Sequence, residues 1–225
     1  REDQDNFAYN SQMKATKAQA ESRFDEEIVS VEIPQRKKDP IIFSKDEFIK
    51  PNSSLEVLSK LRTAFKKEGG TVTAGNASGL NDGAAAMLLA SEKGVKENKL
   101  TPIAKIVSSA VVGVEPRIMG IGPVKASNKA LEKAGLTMNN MDIIELNEAF
   151  SVQALACIRE WGLKDNDPRI NPNGGAIALG HPLGVSGTRI IQTAAIELQK
   201  QNKKYALITM CIGVGQGYAT IIKRV

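Results

Sequence analysis

The chain has 225 residues, with 30 Lys+Arg against 25 Asp+Glu, two cysteines and a single histidine. So few histidines and cysteines cannot readily close a tetrahedral zinc site, and they exclude a disulfide-rich secreted scaffold, which makes a cytoplasmic location the default. With 4% aromatic residues and no long apolar run, neither a stacking surface for nucleic acid nor a membrane span is expected.

The first 68 residues are predicted to form a polar helix over residues 5–21, followed by an irregular, charged segment. Pro34, Pro40 and Pro51 interrupt any regular period in that segment, which we expect to hold only short helices and strands. From Gly69 onward the pattern changes, and short apolar runs alternate with amphipathic stretches.

This second part of the chain predicts strands alternating with helices. The predicted strands cover residues 84–90, 103–112, 142–146, 176–179, 205–210 and 218–222, and the predicted helices cover residues 91–98, 123–134, 150–161 and 187–200. From Ile103 the order is βαβαβαββ, which indicates an α/β fold with a mixed, mostly parallel sheet and helices on both faces. The last two strands are expected to be antiparallel, because their connection is too short for a crossover.

Reactive side chains follow three of these predicted strands. Asn147 and Glu148 come after residues 142–146, His181 comes after residues 176–179, and Cys211 comes after residues 205–210. Ligand sites of open α/β sheets form where strands end at their carboxyl side. If the strands are parallel, these side chains therefore converge on one crevice.

His181 is the one imidazole that could do chemistry in this chain. It lies among glycines, which allow close approach of backbone and ligand, and the helix that follows directs its N-terminal N–H groups toward the loop. An imidazole there could act as base, acid or oxyanion donor. A structural loop histidine explains the same residue equally well.

Cys211 also has two interpretations. A loop N–H or a charged neighbour could lower the pKa of its thiol and make it reactive, or it could be a buried cysteine at a strand end. Cys157 lies in the middle of a predicted helix and is expected to pack. Gly213, Gly215 and Gly217 imitate a dinucleotide fingerprint, but a strand follows them where that fingerprint needs a helix.

Five motifs, taken together and in order, resemble those of thiolases across essentially the whole chain. They are Gly75-Asn76-Ala77-Ser78-Gly79-Leu80-Asn81-Asp82-Gly83, Met119-Gly120-Ile121-Gly122-Pro123, Asn147-Glu148-Ala149-Phe150, Gly180-His181-Pro182-x-Gly184-x-Ser186-Gly187 and Cys211-x-Gly213-x-Gly215-x-Gly217.

The resemblance implies a thiolase-like fold of two similar α/β halves and a loop domain. Residues 1–72 would be the end of the loop domain, residues 73–101 a returning part of the N-terminal half, and residues 102–225 the C-terminal domain. Thiolases carry their nucleophilic cysteine in the N-terminal half, and neither Cys157 nor Cys211 matches it. The chain thus resembles the C-terminal portion of a thiolase and is expected to be inactive alone.

The resemblance also implies a role for each catalytic position. His181 would activate the missing cysteine and, with a water held by Asn147, bind the thioester oxyanion. Cys211 would be the second acid/base. The backbone N–H of Gly213 would contribute to a second oxyanion hole.

Coenzyme A would be bound as a substrate, with no permanent cofactor and no metal. Ser78 matches a serine that contacts the pantetheine, and Lys50 stands where an arginine often contacts the nucleotide. The apolar groups expected to line the thioester end of the tunnel are Phe65, Met119, Ala149 and Phe150. Val214 replaces a glycine common in the Cys211 loop.

The wording of the motifs is closest to that of acetyl-CoA acetyltransferases, which condense two acetyl-CoA to acetoacetyl-CoA and CoA and catalyse the reverse thiolysis. A longer-chain 3-ketoacyl-CoA thiolase and a non-catalytic acyl-CoA- or lipid-binding relative are the alternatives. The complete protein is expected to form a homo-oligomer, a dimer or a tetramer, and the isolated chain is expected to expose apolar surface.

Overall fold

The computed structural model describes residues 1–225. The helices are α1 (Glu2–Ala20), α2 (Leu55–Ser59), α3 (Glu92–Glu97), α4 (Gly122–Ala134), α5 (Ser151–Glu160), α6 (Ala176–Leu179) and α7 (Ser186–Lys200). The strands are β1 (Val31–Gln35), β2 (Lys38–Phe43), β3 (Ala104–Gly113), β4 (Ile143–Leu146), β5 (Tyr205–Ile212) and β6 (Gln216–Arg224). None of the helices combines the length and apolar character needed to cross a bilayer.

The main sheet has four strands in the order β3-β6-β5-β4, with helices on both faces. Strand β5 explains why both faces are covered, because its successive side chains enter two different apolar clusters. Leu207 packs with residues of α4 and α5, whereas Ala206 and Ile208 pack with Ile190 and other residues of α7. The prediction of a mixed α/β sheet covered on both sides is confirmed.

The expectation of a mostly parallel sheet is wrong, since only β4 and β5 pair in parallel. The final strand β6 forms an antiparallel hairpin with β5, as predicted, and its other edge pairs antiparallel with β3. Because β6 is inserted between β3 and β5, two of the three strand pairs are antiparallel.

Two predicted strands are absent. Residues 176–179 form the helical turn α6, in which the Leu179 N–H bonds to the Gly175 carbonyl at 2.9 Å. Residues 84–90 have no regular structure, and Leu88 and Leu89 are exposed. A strand requires a neighbour for its backbone groups, and no strand of this chain lies beside residues 84–90.

The N-terminal region is built on α1, which confirms the predicted polar helix. Its buried residues Ala8 and Ala15 pack against α2, α6 and the chain that leads into α6. A Cβ on Gly174 would lie 2.8 Å from the Ala15 Cβ, so only glycine allows this approach. Helix α1 is thereby held against the segment that precedes His181.

Candidate active site

The backbone at His181 is fixed by a distant segment of the chain. Gly180 has a φ of +83°, and a Cβ at that position would lie 2.4 Å from the Asn81 Oδ1. The His181 N–H donates to this Oδ1 and to the Gly79 carbonyl, each at 3.3 Å. His181 is 8% exposed and borders an open surface depression that is also lined by Leu80, Asn81, Asp82 and Leu183.

The hydrogen bonds around the His181 ring favour one tautomer. The Ser186 hydroxyl donates to the Pro182 carbonyl at 3.2 Å, so its oxygen accepts from His181 Nδ1–H at 2.6 Å. Nε2 then carries the lone pair, and the Asn147 amide donates to it at 3.3 Å. The atom that can take a proton is therefore Nε2.

Burial, followed by the positive charge of Arg189, lowers the pKa of His181 below its ordinary value of 6.5. The ring is consequently neutral at pH 7. A neutral imidazole with its Nε2 lone pair available is the form that a general base requires.

Asn147 connects His181 to the sheet. It follows β4 directly and is 1% exposed, and its backbone N–H donates to the Thr209 carbonyl of β5 at 3.0 Å. Its side-chain Oδ1 is buried and has no partner within the chain. The parallel pairing of β4 with β5 thus brings Asn147 to the same sheet edge as Cys211, which lies two residues beyond Thr209.

Cys211 lies inside β5, not after a strand as predicted, and pairs with Gly217 of β6. It is 6% exposed, and burial raises the pKa of its thiol above the ordinary value of 9.0. Cys211 is therefore a neutral thiol at pH 7. Gly213 follows in the turn between β5 and β6.

Four of the predicted ligand-lining residues come together at the start of α5. The Ser78 N–H donates to the Ala149 carbonyl at 3.0 Å, and Ala77 forms an isolated β-bridge with Phe150. The rings of Phe65 and Phe150 meet edge to face with centroids 6.1 Å apart. These contacts form one contiguous wall of Ser78, Ala149, Phe150 and Phe65. Two of its members, Ala149 and Phe150, follow Asn147 closely in the chain.

Met119 and Lys50 lie at two other places. Met119 is in the 3-10 segment Pro116–Ile121, where the adjacent Gly120 packs against Gln153 of α5. The Lys50 ammonium lies 4.7 Å from the centroid of the Phe48 ring, and that ring contacts Gly79, the residue after Ser78. Lys50 therefore lies near the Ser78 segment through Phe48, without a direct contact.

Comparison with known proteins shows the family of the chain. The family description "Thiolase, C-terminal domain" matches residues 100–224, and "Thiolase, N-terminal domain" matches residues 1–93. The chain belongs to the thiolase family. It spans just over half the length of the relatives it matches. No group of three or more His, Cys, Asp or Glu side chains in this thiolase chain is placed to hold a metal ion.

Three similar thiolases have different names. The β-ketoadipyl-CoA thiolase of Acinetobacter baylyi is 57% identical over all 225 residues, which cover 56% of that protein. The solved acetyl-CoA acetyltransferase of Bacillus anthracis is 43% identical with a TM-score of 0.95, and the chain covers 56% of it. Human mitochondrial 3-ketoacyl-CoA thiolase, solved in complex with CoA, is 47% identical with a TM-score of 0.94, and the chain covers 55% of it.

Sequence reasoning gave no role to Ser186, Asn81 or Asn171. Ser186 and Asn81 lie within the motifs that carry the resemblance to thiolases. A motif identifies such positions but does not show which atoms their side chains bond. Asn171 lies in the Asn- and Gly-rich approach to α6 and has a φ of +43°, a conformation that asparagine tolerates better than most residues.

Val214 has a φ of +68° and is 86% exposed, so this β-branched residue is strained without packing in return. Val214→Gly is expected to raise the free energy of unfolding of the thiolase by about 1 kcal/mol, because glycine adopts this conformation without a Cβ clash. Denaturant unfolding of the complete protein measures the change. Val29, which is 85% exposed and has no positive φ, is the matched control. An equal effect of Val214→Gly and Val29→Gly would contradict the prediction.

Proposed function

We propose that the complete protein is an acyltransferase that cleaves a 3-oxoacyl-CoA with CoA, and catalyses the reverse condensation. The observation that carries this proposal is the His181 Nε2 lone pair, held 3.3 Å from the Asn147 amide at the sheet edge that also carries Cys211. A base, an amide and a second proton carrier at one edge suit the making and breaking of a thioester.

The proposed reaction needs a cysteine from the part of the protein outside these 225 residues. His181 Nε2 takes the proton of that thiol, and the sulfur attacks the 3-oxo carbon of the substrate. The bond between C2 and C3 breaks, and the electron pair left on C2 accepts a proton to give acetyl-CoA. The thiol of a free CoA then attacks the acyl-cysteine to form an acyl-CoA shorter by two carbons. The cysteine sulfur that leaves takes back the proton from His181, which regenerates the free cysteine.

Cys211 is the group that we assign to proton transfer at C2. Its raised pKa keeps it protonated at pH 7, so it can donate to the carbanion that leaves during thiolysis. It then takes the proton of the incoming CoA thiol and is ready for the next turnover. The Gly213 N–H and the pair of His181 and Asn147 are the proposed oxyanion donors.

We propose 3-oxoadipyl-CoA as the preferred substrate and acetoacetyl-CoA as the second candidate. The first is favoured by the 57% identity to the β-ketoadipyl-CoA thiolase, and the second by the fold and motifs shared with acetyl-CoA acetyltransferases. The wall of Ser78, Ala149, Phe150 and Phe65 supports binding of the pantetheine and thioester end of CoA. Longer chains are the third candidate. No permanent cofactor is proposed.

A cytoplasmic location and a homo-oligomeric state are also proposals, made from the sequence. The exposed apolar residues Leu80, Leu88 and Leu89 are compatible with burial against the rest of the protein or a second copy. A non-catalytic acyl-CoA-binding role is disfavoured, because Asn147, His181 and Cys211 are all present.

The test compares the complete protein with the isolated 225-residue chain. We expect the complete protein to cleave 3-oxoadipyl-CoA with a higher kcat/KM than acetoacetyl-CoA, and the isolated chain to cleave neither, because it lacks the nucleophile. Release of acetyl-CoA from each substrate is the measurement. Turnover by the isolated chain would refute the assignment of the nucleophile, and failure of the complete protein on every 3-oxoacyl-CoA would refute the function.

A further inference from the structure

Glu148 lies beside the proposed catalytic pair, is 1% exposed and takes no part in the proposed chemistry. It is the residue after Asn147. Its Oε2 accepts from the Ser11 hydroxyl at 2.7 Å and from the Ile177 N–H at 3.1 Å. Its Oε1 accepts from the Asn171 amide at 2.7 Å. One carboxylate therefore joins the residues after β4 to α1 and to residues 171–177.

The segment that leads to His181 is in close contact with this carboxylate. A Cβ on Gly175 would lie 2.3 Å from the Glu148 carboxyl carbon, so the backbone of Gly175 packs directly on Glu148. The Gly175 N–H also donates to the Ser11 hydroxyl oxygen at 3.1 Å. Gly175 and Ile177 lie within six residues of His181, and Ser11 brings α1 into the same cluster.

Both Glu148 oxygens act only as acceptors in their hydrogen bonds, which is the role of an ionised carboxylate. Burial raises the pKa of Glu148, while the bonds from Ser11, Asn171 and the Ile177 N–H, together with the charge of Lys14, favour the ionised form. The side chain thus acts as an acceptor at every contact.

We propose that Glu148 is a positioning residue that sets the separation of the Asn147 amide from His181 Nε2 and couples α1 to that pair. Asn147 is joined to Glu148 by a peptide bond, and His181 is reached through Gly175 and α6. Both sides of the 3.3 Å contact are therefore fastened to the same carboxylate. The kinetic part of this inference rests on the proposed function.

Glutamine cannot replace Glu148 without a conflict. The Asn171 side chain is locked, because its Oδ1 accepts from the Leu146 N–H at 2.8 Å and its Nδ2 donates to the Leu146 carbonyl at 2.9 Å. A glutamine NH2 would face either the Asn171 NH2 or the donors of Ser11 and Ile177. The glutamine NH2 and one of these N–H or O–H groups would then be two buried donors facing each other. Either α1 or the segment of residues 171–177 must move to relieve this.

In the complete protein, Glu148→Gln is expected to lower kcat about 10–100-fold, because a displacement near 1 Å of a catalytic group has an effect of that size. The KM for 3-oxoacyl-CoA should change by a smaller factor than kcat, since the Glu148 side chain makes no hydrogen bond to the ligand-lining wall. Ser11→Ala removes one donor to Glu148 and the acceptor of the Gly175 N–H but keeps the carboxylate, so it should lower kcat by a smaller factor. It provides a second variant if Glu148→Gln does not fold.

Glu197→Gln is the matched control. Glu197 is 6% exposed, and its carboxylate also accepts from three side chains, those of Arg23, Asn173 and Gln201. One of its donors, Asn173, also lies in the approach to α6, but none of its bonds reaches Glu148, Asn147 or His181. The control therefore separates the carboxylate that is joined to Asn147 from another buried carboxylate that binds the same segment. This variant is expected to lose stability while kcat changes less than about twofold.

The ring of His181 gives a readout that does not depend on turnover. In protein labelled with ¹⁵N-histidine, the His181 signals are assigned by their loss in His181→Ala. Glu148→Gln and Ser11→Ala should shift these signals and the pH midpoint of the ring, and Glu197→Gln should leave both unchanged. Equal kcat in all three variants, or unshifted ring signals in Glu148→Gln, would overturn the proposal. If the unmodified protein fails to cleave any 3-oxoacyl-CoA, the proposed function fails, and the ring signals still decide the role of Glu148.

Discussion

His181→Ala is expected to lower kcat of the complete protein by about a thousandfold or more on both 3-oxoadipyl-CoA and acetoacetyl-CoA. The variant removes the base for the nucleophile and one oxyanion donor at once, and each such loss has an effect of about a hundredfold or more. Acetyl-CoA release under saturating substrate measures it. Lys204→Ala, which removes an exposed charge at the opposite end of β5, is the control. Retention of a tenth of the normal kcat by His181→Ala would refute the role of His181.

The pH profile provides an independent check on the same residue. Neutral His181 is the active form, and its pKa is lowered by burial and by the charge of Arg189. The rate should therefore be lost as the pH falls through a midpoint below 6.5, the ordinary value, and should be unaffected at pH 7. A titration of the His181 ring by NMR gives the same midpoint if the assignment is right. A midpoint above 6.5 in both measurements would contradict it.

The sequence predicted that Asn147 and His181 lie close together, and they do, although the element before His181 is a helix and not the predicted strand. A four-residue apolar run is too short for its period to separate a strand from a helix. The sequence shows only that glycines flank residues 176–179. In the structure these glycines, Gly175 and Gly180, are the N-cap and C-cap residues of α6. What places His181 is its contact with Asn81, which lies 100 residues earlier and is invisible to any local pattern.

Residues 84–90 illustrate a different limit. Their apolar run suits a strand, yet a strand exists only where a neighbour satisfies its backbone groups. Composition and period describe the run itself and say nothing about a neighbour. The chain spans 56% of the relative from Acinetobacter baylyi, and we propose that the neighbouring strands lie in the remainder.

The polar network around the site was the least predictable part. Ser11 and Glu148 lie 137 residues apart, and their hydrogen bond depends on how α1 packs against the approach to α6. By contrast, the burial of β4 and β5 on both faces follows from their continuous apolar runs, and the apolar face of α7 follows from its helical period. Sequence thus locates the candidate site residues, whereas tertiary packing decides which hydrogen bonds hold them.

Substitution of Glu145 is the change for which we expect the largest effect on stability. Residues alternate along β4, so Glu145 shares with Ile143 the face covered by α7, and it is 1% exposed. Its Oε1 has no partner within the chain. Burial raises the pKa of this carboxyl to about 8, against an ordinary value of 4.5, while the charge of Arg189 acts in the opposite direction.

A raised carboxyl pKa means that the folded state favours the proton. Its contribution to stability is fully present below pH 4.5, where the unfolded chain is also protonated, and is lost as the pH rises through about 8. At pH 7 the loss amounts to about 3 kcal/mol, from 1.36 kcal/mol for each pH unit above the unfolded pKa. Glu145 is thus expected to destabilise the fold at neutral pH.

Glu145→Gln should therefore raise the free energy of unfolding at pH 7 by about 1–3 kcal/mol, and leave it nearly unchanged at pH 4. Glutamine keeps the shape of the side chain and cannot ionise, and the lower end of the range allows for its extra buried donor. Urea unfolding of the complete protein at the two pH values measures the gain. Glu56→Gln is the control, because that side chain is 77% exposed and pairs only with Lys60, so its change should stay below about 0.5 kcal/mol. A gain that is the same at both pH values would show that ionisation of Glu145 is not its cause.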